Sequence, residues 1–242
     1  MIEKLIRQFV MCSDVNPDRV IAIGYSHGGY GAFAVGPKLP HRFAAVHASA
    51  SAPTGGQSLP DGLHSLRFSF MVGGKDTAYG RRERCVAFAK QLSALQEQNP
   101  GRYPTKFTLV EKCGHGGLPD RDLLAKLVPI HRATTPSLWW KMTDTVVKDH
   151  YWLRSANPKP GQAVSAKLAG DALRVDADGG VLLEAWLDAR LVDDMNQPLK
   201  VRVSPAKHAR SISPAPSLRT LCYTMQERGD PSLAASWILP LK

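Results

Sequence analysis

Residues 19–35 read RVIAIGYSHGGYGAFAV, an apolar run that leads into a glycine-rich turn. Val20, Ile21 and Ile23 belong to a continuous apolar segment, which is typical of a strand buried on both faces of a parallel sheet. The residues after the turn, roughly 27 to 37, are rich in glycine and alanine and favour a helix that packs close to that strand. The stretch therefore predicts a strand, a sharp turn and a helix in direct succession.

Three more short apolar runs continue this alternation. They are FAAVHAS at 43–49, RFSFMVG at 67–73 and TKFTLVE at 105–111, and a segment of helical period lies at about 81–97. Strands separated by helices predict parallel pairing through right-handed crossovers. The first part of the chain is therefore predicted to be an α/β fold whose functional loops follow the carboxyl ends of the strands.

The pattern changes near residue 130, where short apolar stretches punctuated by proline replace the helical alternation. This predicts two domains, an α/β domain over 1–130 that includes a helix at 2–10, and a small antiparallel β-rich domain over 131–242. Within the second domain, Asp178-Gly179-Gly180 predicts a hairpin turn. The segment 216–231 predicts one helix that ends at Gly229.

The turn itself contains Gly24-Tyr25-Ser26-His27-Gly28, a G-x-S-x-G motif. In a nucleophile elbow the chain turns so sharply that side chains two positions either side of the serine would clash, so glycine is expected at both. The turn projects the serine hydroxyl above the sheet. Ser26 is therefore the candidate nucleophile, and the alternative is a glycine-rich turn that only packs a helix on a strand.

A serine hydroxyl is a weak nucleophile and needs a base, which in turn is oriented by an acid. Asp76 follows one predicted strand and His115 follows the next, so the chain has the order serine, acid, histidine. Taken singly, Asp76 could cap a helix and His115 could be an ordinary loop histidine. His27 stands too close to Ser26 to act as its base, but its backbone N–H is a candidate oxyanion donor.

Composition argues against several other classes. The formal charge of +10 is spread along the chain, and the densest cluster, Arg81-Arg82-Glu83-Arg84, is predicted to be a solvated helix face and not a nucleic-acid site. No run of 18 apolar residues is present, so no membrane span is predicted. The opening residues MIEKLIRQFVMCSD mix charges with apolar residues, unlike a signal peptide, and the compartment stays open.

The four cysteines, Cys12, Cys85, Cys113 and Cys222, are widely separated. They form no C-x-x-C pair and no Cys/His cluster with the spacing of metal ligands. No zinc or other metal site is predicted, and their disulfide status is left open.

The segments GYSHGGYGA, MVGGKDTAYGRRERCVAFAKQL and TLVEKCGHGGLPD resemble α/β-hydrolase-fold serine esterases of the polyhydroxybutyrate-depolymerase and feruloyl-esterase-like group. The resemblance covers about residues 1–130, and the rest is similar to the β-rich tail of some bacterial, often planctomycete, hydrolases. It implies Ser26 as nucleophile, His115 as base, Asp76 as acid and the His27 N–H as oxyanion donor. It also implies a small-molecule or polymeric ester substrate and no cofactor.

Members of that group also carry an earlier half with the first strands of the sheet and a His-Gly-Gly type loop. The resemblance therefore leads us to expect an incomplete hydrolase domain and weak activity of this chain alone. Two alternatives stay open, a prolyl-oligopeptidase-like peptidase and a catalytically silent binding module. The second would use an aromatic face, although core packing is the favoured interpretation of Trp139, Trp140, Tyr151, Trp152 and Trp186.

Overall fold

Four parallel strands form the sheet of the first unit, Asp18–Ala133, in a computed structural model that describes residues 2–241. They lie side by side in chain order, and helices occupy the connections before the second and fourth strands. The elements are β1 (Ile21–Tyr25), α2 (His27–Lys38), β2 (Ala45–Ser49), β3 (Arg67–Gly73), α3 (Arg81–Gln98), β4 (Thr105–Val110) and α4 (Arg121–Leu127), and α1 (Ile2–Cys12) precedes them. The α/β class expected from the apolar runs is confirmed.

The core of the first unit is built around the inner strands. β2 is buried along its whole length, whereas β1 lies at one edge of the sheet and exposes Ile23 and Tyr25. Phe33 of α2 contacts the rings of Phe68 and Phe70 of β3, with centroid distances of 5.3 and 5.5 Å. This aromatic cluster anchors α2 on the sheet and so holds the turn that precedes the helix.

The second unit consists of the chain from Thr134 onward together with the segment up to Pro17. One sheet has the order β13-β10-β7-β6 and the other β12-β11-β9-β8-β5, and a single apolar cluster includes residues of both. The strands are β5 (Ser137–Lys141), β6 (Asp149–His150), β7 (Leu153–Ser155), β8 (Ala163–Ala169), β9 (Ala172–Ala177), β10 (Leu183–Leu187), β11 (Leu199–Val203), β12 (Arg210–Ile212) and β13 (Trp237–Leu241), with α5 at Leu218–Arg228.

The predicted β-rich unit with antiparallel pairing is confirmed, and its one parallel pair among the described residues joins β9 to β11. One expectation, for a turn, was wrong. Asp178-Gly179-Gly180 does not close a hairpin, because β9 and β10 belong to different sheets. The Asp178 carboxylate and N–H instead bond the backbone of Ala163, which ties the turn to β8. The predicted helix end is confirmed, since Gly229 adopts a left-handed conformation as the cap of α5.

Helix α1 belongs with the second unit and not with the α/β unit where its position in the chain had placed it. Arg7 donates a hydrogen bond to the Gln226 carbonyl at the end of α5. Ile6 is buried, whereas Leu5 and Phe9 are about half exposed. An amphipathic pattern shows that a helix has an apolar face, but not which neighbour that face will meet.

Most of the tryptophan-rich segment is core, as favoured from the sequence. Trp140, Tyr151, Trp152 and Trp186 are buried, and Trp139 is partly buried. Trp152 donates its indole N–H to the Thr135 carbonyl, which satisfies the polar atom of a buried ring. Most of the aromatic surface of these residues is therefore buried within the second unit.

Within residues 2–241, no helix is long and apolar enough to cross a membrane. All four cysteines are free thiols. Burial raises the pKa of the Cys85 thiol to about 12, which makes this side chain an inert part of the core at neutral pH.

Candidate active site

Ser26, Asp76 and His115 come together at the carboxyl ends of three strands, and we call them the strand-end cluster. Ser26 follows β1, Asp76 lies beyond β3 and His115 lies beyond β4. Ser26 Oγ is 3.0 Å from His115 Nε2, and His115 Nδ1 is 2.9 Å from Asp76 Oδ2. The structure thus places a hydroxyl, an imidazole and a carboxylate in one hydrogen-bonded line.

The turn at Ser26 has a strained backbone. Its φ of 52° and ψ of −116° lie outside the regions that L-residues favour, and such conformations cost about 1–3 kcal/mol. The Ser26 N–H bonds the Ser49 carbonyl at 3.0 Å, so the end of β2 holds the turn in place. The surrounding sheet therefore imposes the conformation that presents Oγ to His115.

The structure corrects which glycines the turn needs. A Cβ on Gly24 would lie 2.0 Å from the Gly28 carbonyl oxygen, so the first glycine of the motif is required, as expected. At Gly28, in contrast, an added Cβ would meet no atom within 4 Å. The second required glycine is Gly29, whose Cβ would lie 2.2 Å from Ser51 Oγ. The close approach occurs where α2 passes the end of β2, one residue later than the motif indicates.

Backbone hydrogen bonds join the loop of the acid to the loop of the base. The Lys75 N–H bonds the Cys113 carbonyl at 2.9 Å, and the Gly74 N–H bonds the Val110 carbonyl at the same distance. These bonds fix the separation of the two loops independently of the side chains they carry. Asp76 and His115 are therefore held in register before any ligand binds.

Asp76 is buried and has a second charged partner, Arg81. The guanidinium donates from Nε to Oδ2 at 2.9 Å and from Nη2 to Oδ1 at 2.6 Å. Burial by itself would raise the pKa of Asp76, but hydrogen bonds from Arg81 and His115 outweigh it and the net shift is downward. The same pairing raises the pKa of Arg81. Both groups thus stay charged, and the carboxylate is available to accept the imidazole N–H.

The prediction that Arg81 lies on a solvated helix face is wrong. It is 6% exposed, and Arg84 of the same cluster reaches the carbonyls of Pro53 and Tyr79. One sequence signal points to this arrangement. Arg81 is the first residue of α3, where the helix dipole disfavours a cation, so a local acidic partner is expected.

Tyr25, next to Ser26, is a second contact that the motif did not reveal. Its hydroxyl donates to the His115 carbonyl oxygen, and the phenol and imidazole centroids are 5.8 Å apart. Burial and the nearby charges of Asp120 and Asp76 raise the pKa of Tyr25, so the hydroxyl remains a donor at neutral pH. Tyr25 therefore links the strand of the nucleophile to the loop of the base.

The imidazole of His115 stays accessible, with 43% of its side chain exposed. His27 is exposed as well and begins α2, a helix position whose backbone N–H has no acceptor within the helix. That N–H follows Ser26 directly. Across residues 2–241, no group of three or more His, Cys, Asp or Glu side chains is arranged to hold a metal ion.

No protein-family description and no curated protein matches this chain. The solved structures that resemble part of it include the crystal structure of a thermostable esterase and the crystal structure of esterase PE8. The first is 16% identical over 54% of this chain, with a TM-score of 0.44, and the second is 17% identical over 53%, with a TM-score of 0.42. The matched region spans 36% and 58% of those two chains.

Proposed function

We propose that this chain hydrolyses carboxylic esters through Ser26 as nucleophile, His115 as general base and Asp76 as the acid that orients His115. The observation that carries the proposal is the continuous contact from Ser26 Oγ through both imidazole nitrogens to Asp76. A hydroxyl within 3.0 Å of an imidazole nitrogen can transfer its proton as it attacks. The strained turn and the Arg81 ion pair support the same assignment, because backbone strain and carboxylates with shifted pKa values are concentrated at functional sites.

In the first half of the reaction, Ser26 Oγ bonds to the acyl carbon while its proton passes to His115 Nε2. The bond from the acyl carbon to the alcohol oxygen then breaks, and the proton on Nε2 moves to the departing oxygen. Asp76 accepts the Nδ1–H throughout and stabilises the imidazolium. The product of this half is an acyl ester on Ser26.

In the second half, a water molecule gives a proton to His115 Nε2 as its oxygen attacks the acyl carbon. Ser26 Oγ leaves, takes that proton and is regenerated as a hydroxyl, and the carboxylic acid is released. The exposed edge of His115 allows water to reach Nε2. The backbone N–H of His27 is the proposed donor to the negative oxygen of both tetrahedral intermediates.

The substrate class follows from the resemblance of GYSHGGYGA and its companion segments to polyhydroxybutyrate-depolymerase and feruloyl-esterase-like enzymes. Esters of hydroxyalkanoic or aromatic acids are therefore the first substrates to test. Methyl ferulate and a 3-hydroxybutyrate oligomer compare these two acyl groups. p-Nitrophenyl acetate measures esterase activity of any kind, and p-nitroacetanilide reports cleavage of an amide.

The test is covalent labelling of the protein with a fluorophosphonate, which reacts with activated serine hydroxyls. We expect one label, on the tryptic peptide that contains Ser26, and none on Ser26→Ala. Ser93→Ala is the matched control, because Ser93 is an exposed serine on α3 of the same unit. Undiminished labelling of Ser26→Ala, or a wild-type protein that takes no label and hydrolyses no ester, would overturn the proposal.

A further inference from the structure

The outer face of the β12-β11-β9-β8-β5 sheet carries three cations in one row, and we call this row the cation ladder. Lys167 of β8 lies opposite Arg174 of β9, and Arg174 lies opposite Arg202 of β11. All three side chains are exposed and alternate with buried neighbours along their strands. Neighbouring strands are about 4.8 Å apart, so three positively charged side chains project from the sheet side by side.

Like charges directly opposite each other destabilise a sheet, so a row of three needs an explanation. Some other exposed cations of the second unit are paired with acids. Lys200 is 2.7 Å from Asp171, for example, and Arg190 pairs with Asp188. Among residues 2–241, the ladder residues make no ion pair. A local rule that is broken without compensation marks a candidate functional site.

The ladder lies in a concavity and not on a flat surface. A cavity of about 630 Å³ is bounded by the ladder strands and by the loop at 204–207, and Lys207 of that loop adds a fourth cation. This volume is within the range of small-molecule sites, about 300–1,000 Å³. Ser137, in the same row as Lys167, and Ser165 contribute hydroxyls to the lining. Asp176 is its one acidic lining residue and lies one row beyond Arg174.

We propose that the cation ladder binds a small molecule that carries a diphosphate or two neighbouring phosphate groups. Each phosphate monoester carries a charge of about −1.5 to −2 at pH 7, so two groups offset the net charge of +3 that the four cations and Asp176 give the cavity. The planar guanidinium groups of Arg174 and Arg202 suit bidentate contacts to phosphate oxygens, and Lys167 adds a point charge. Asp176 and the two serines remain available for hydroxyl groups of the ligand.

The experiment measures binding of inorganic pyrophosphate by titration calorimetry at 0.15 M salt, with the wild-type protein and single variants. Arg174→Gln and Arg202→Gln are each expected to weaken binding at least about tenfold, the size of effect that loss of a charge-assisted contact produces. Asp176→Asn is expected to strengthen it, because a negative charge leaves the cavity.

Lys200→Gln is the matched control. Lys200 lies two residues before Arg202 on the same strand and the same face, and the substitution makes the same change in charge, but Lys200 is already paired with Asp171. Its affinity for pyrophosphate should change less than about twofold. Equal weakening by Lys200→Gln and Arg202→Gln would overturn the proposal, because it would show attraction to the overall positive charge of the chain alone.

A stability measurement separates a ligand site from a structural one. In the absence of anions and at low salt, Arg174→Gln should melt at the same temperature as the wild type or higher, since one repulsive neighbour is removed. Added pyrophosphate should raise the melting temperature of the wild type but not of Arg174→Gln. A lower melting temperature of the unliganded variant, no binding of millimolar pyrophosphate, or tighter ladder-dependent binding of duplex DNA would each overturn the proposal.

Discussion

Two sets of serine, histidine and aspartate lie in the same α/β unit, and they differ in backbone conformation and exposure. The second set, the mid-sheet cluster, consists of Ser69 on β3, His47 on β2 and Asp120 just before α4. His47 Nδ1 is 2.8 Å from Ser69 Oγ, and its Nε2 is 3.5 Å from Asp120 Oδ1. Residue types and distances are therefore close to those of the strand-end cluster.

The two clusters differ in backbone, exposure and charge. Ser26 stands on a strained turn, whereas Ser69 is part of a regular strand. The His115 side chain is 43% exposed and that of His47 is 1% exposed. Burial lowers the pKa of His47, and the Asp120 carboxylate offsets this only in part. The comparison teaches that the same three side chains can lie at similar distances in two places, while only the strand-end cluster combines a strained turn with an exposed imidazole, as the proposed reaction requires.

The largest expected effect separates the two serines. Ser26→Ala should lower kcat for p-nitrophenyl acetate by at least about 10⁴-fold, because the variant lacks the hydroxyl on which the proposed acyl-enzyme forms. Ser69→Ala should leave kcat within about twofold but lower the free energy of unfolding by about 1–3 kcal/mol, since it removes a hydrogen-bond partner of buried His47. Steady-state kinetics and chemical denaturation measure both. A large loss of activity in a well-folded Ser69→Ala would contradict the comparison.

The next effect concerns Arg81, which pairs with Asp76. Among residues 2–241, no arginine pairs with Asp120 of the mid-sheet cluster. Arg81→Gln should raise the pKa of Asp76, so the acid side of the pH–rate profile moves to higher pH. We expect kcat at neutral pH to fall by about 10- to 100-fold, since an Asp76 carboxylate that has lost Arg81 is held less firmly and stabilises the imidazolium less well. Loss of one partner of a buried ion pair should also cost about 3–5 kcal/mol of stability.

Arg82→Gln is the control for that experiment. Arg82 is the next residue of α3 and carries the same charge, but it approaches Asp76 only through its backbone N–H, which bonds the Asp76 carbonyl. Its pH–rate profile should match the wild type. If Arg81→Gln retains the wild-type profile while it is folded, Arg81 does not position the acid.

A smaller effect tests the strained turn through two adjacent glycines of α2. Gly29→Ala would place a Cβ 2.2 Å from Ser51 Oγ and 2.6 Å from the Ser49 carbonyl, so we expect a loss of about 1–3 kcal/mol in the free energy of unfolding. Gly28→Ala meets no atom within 4 Å and should be neutral or stabilising by up to about 1 kcal/mol, because alanine favours a helix. Urea denaturation of both variants decides the matter, and equal stabilities would refute the assignment of Gly29.

The smallest expected effect is the pH dependence of stability that comes from His47. Its pKa is lowered in the folded state from the usual 6.5, so below pH 6.5 the unfolded chain takes up a proton that the native protein does not. Stability should therefore fall as the pH drops from 6.5 toward the lowered pKa, by at most about 1.4 kcal/mol per pH unit. His47→Gln should reduce this slope in denaturation between pH 7 and 5. An unchanged slope would mean that His47 titrates normally.

Much of the first unit can be predicted from local patterns in the chain. β3 begins and ends at the expected residues 67 and 73, and the three members of the strand-end cluster follow the parallel strands β1, β3 and β4. In the second unit, α5 ends where Gly229 caps it, as predicted. These features are accessible because they depend on hydrophobic period, on turn residues and on the rule that parallel strands end at one edge of the sheet.

Other features depend on which surfaces meet in space, and no local pattern contains that information. The charge run predicts that Arg81 is solvated, but in the fold it pairs with Asp76. The position of α1 in the chain predicts that it belongs to the α/β unit, but Arg7 bonds the end of α5 in the second unit. In the first turn of α2, the Cα of Gly29 faces the end of β2, whereas the Cα of Gly28 faces open space. Lys167, Arg174 and Arg202 are far apart in sequence, and strand register alone makes them neighbours. Composition and hydrophobic period predict the helices and strands of this protein. The proposed sites depend on contacts between distant residues, which form only when the chain packs.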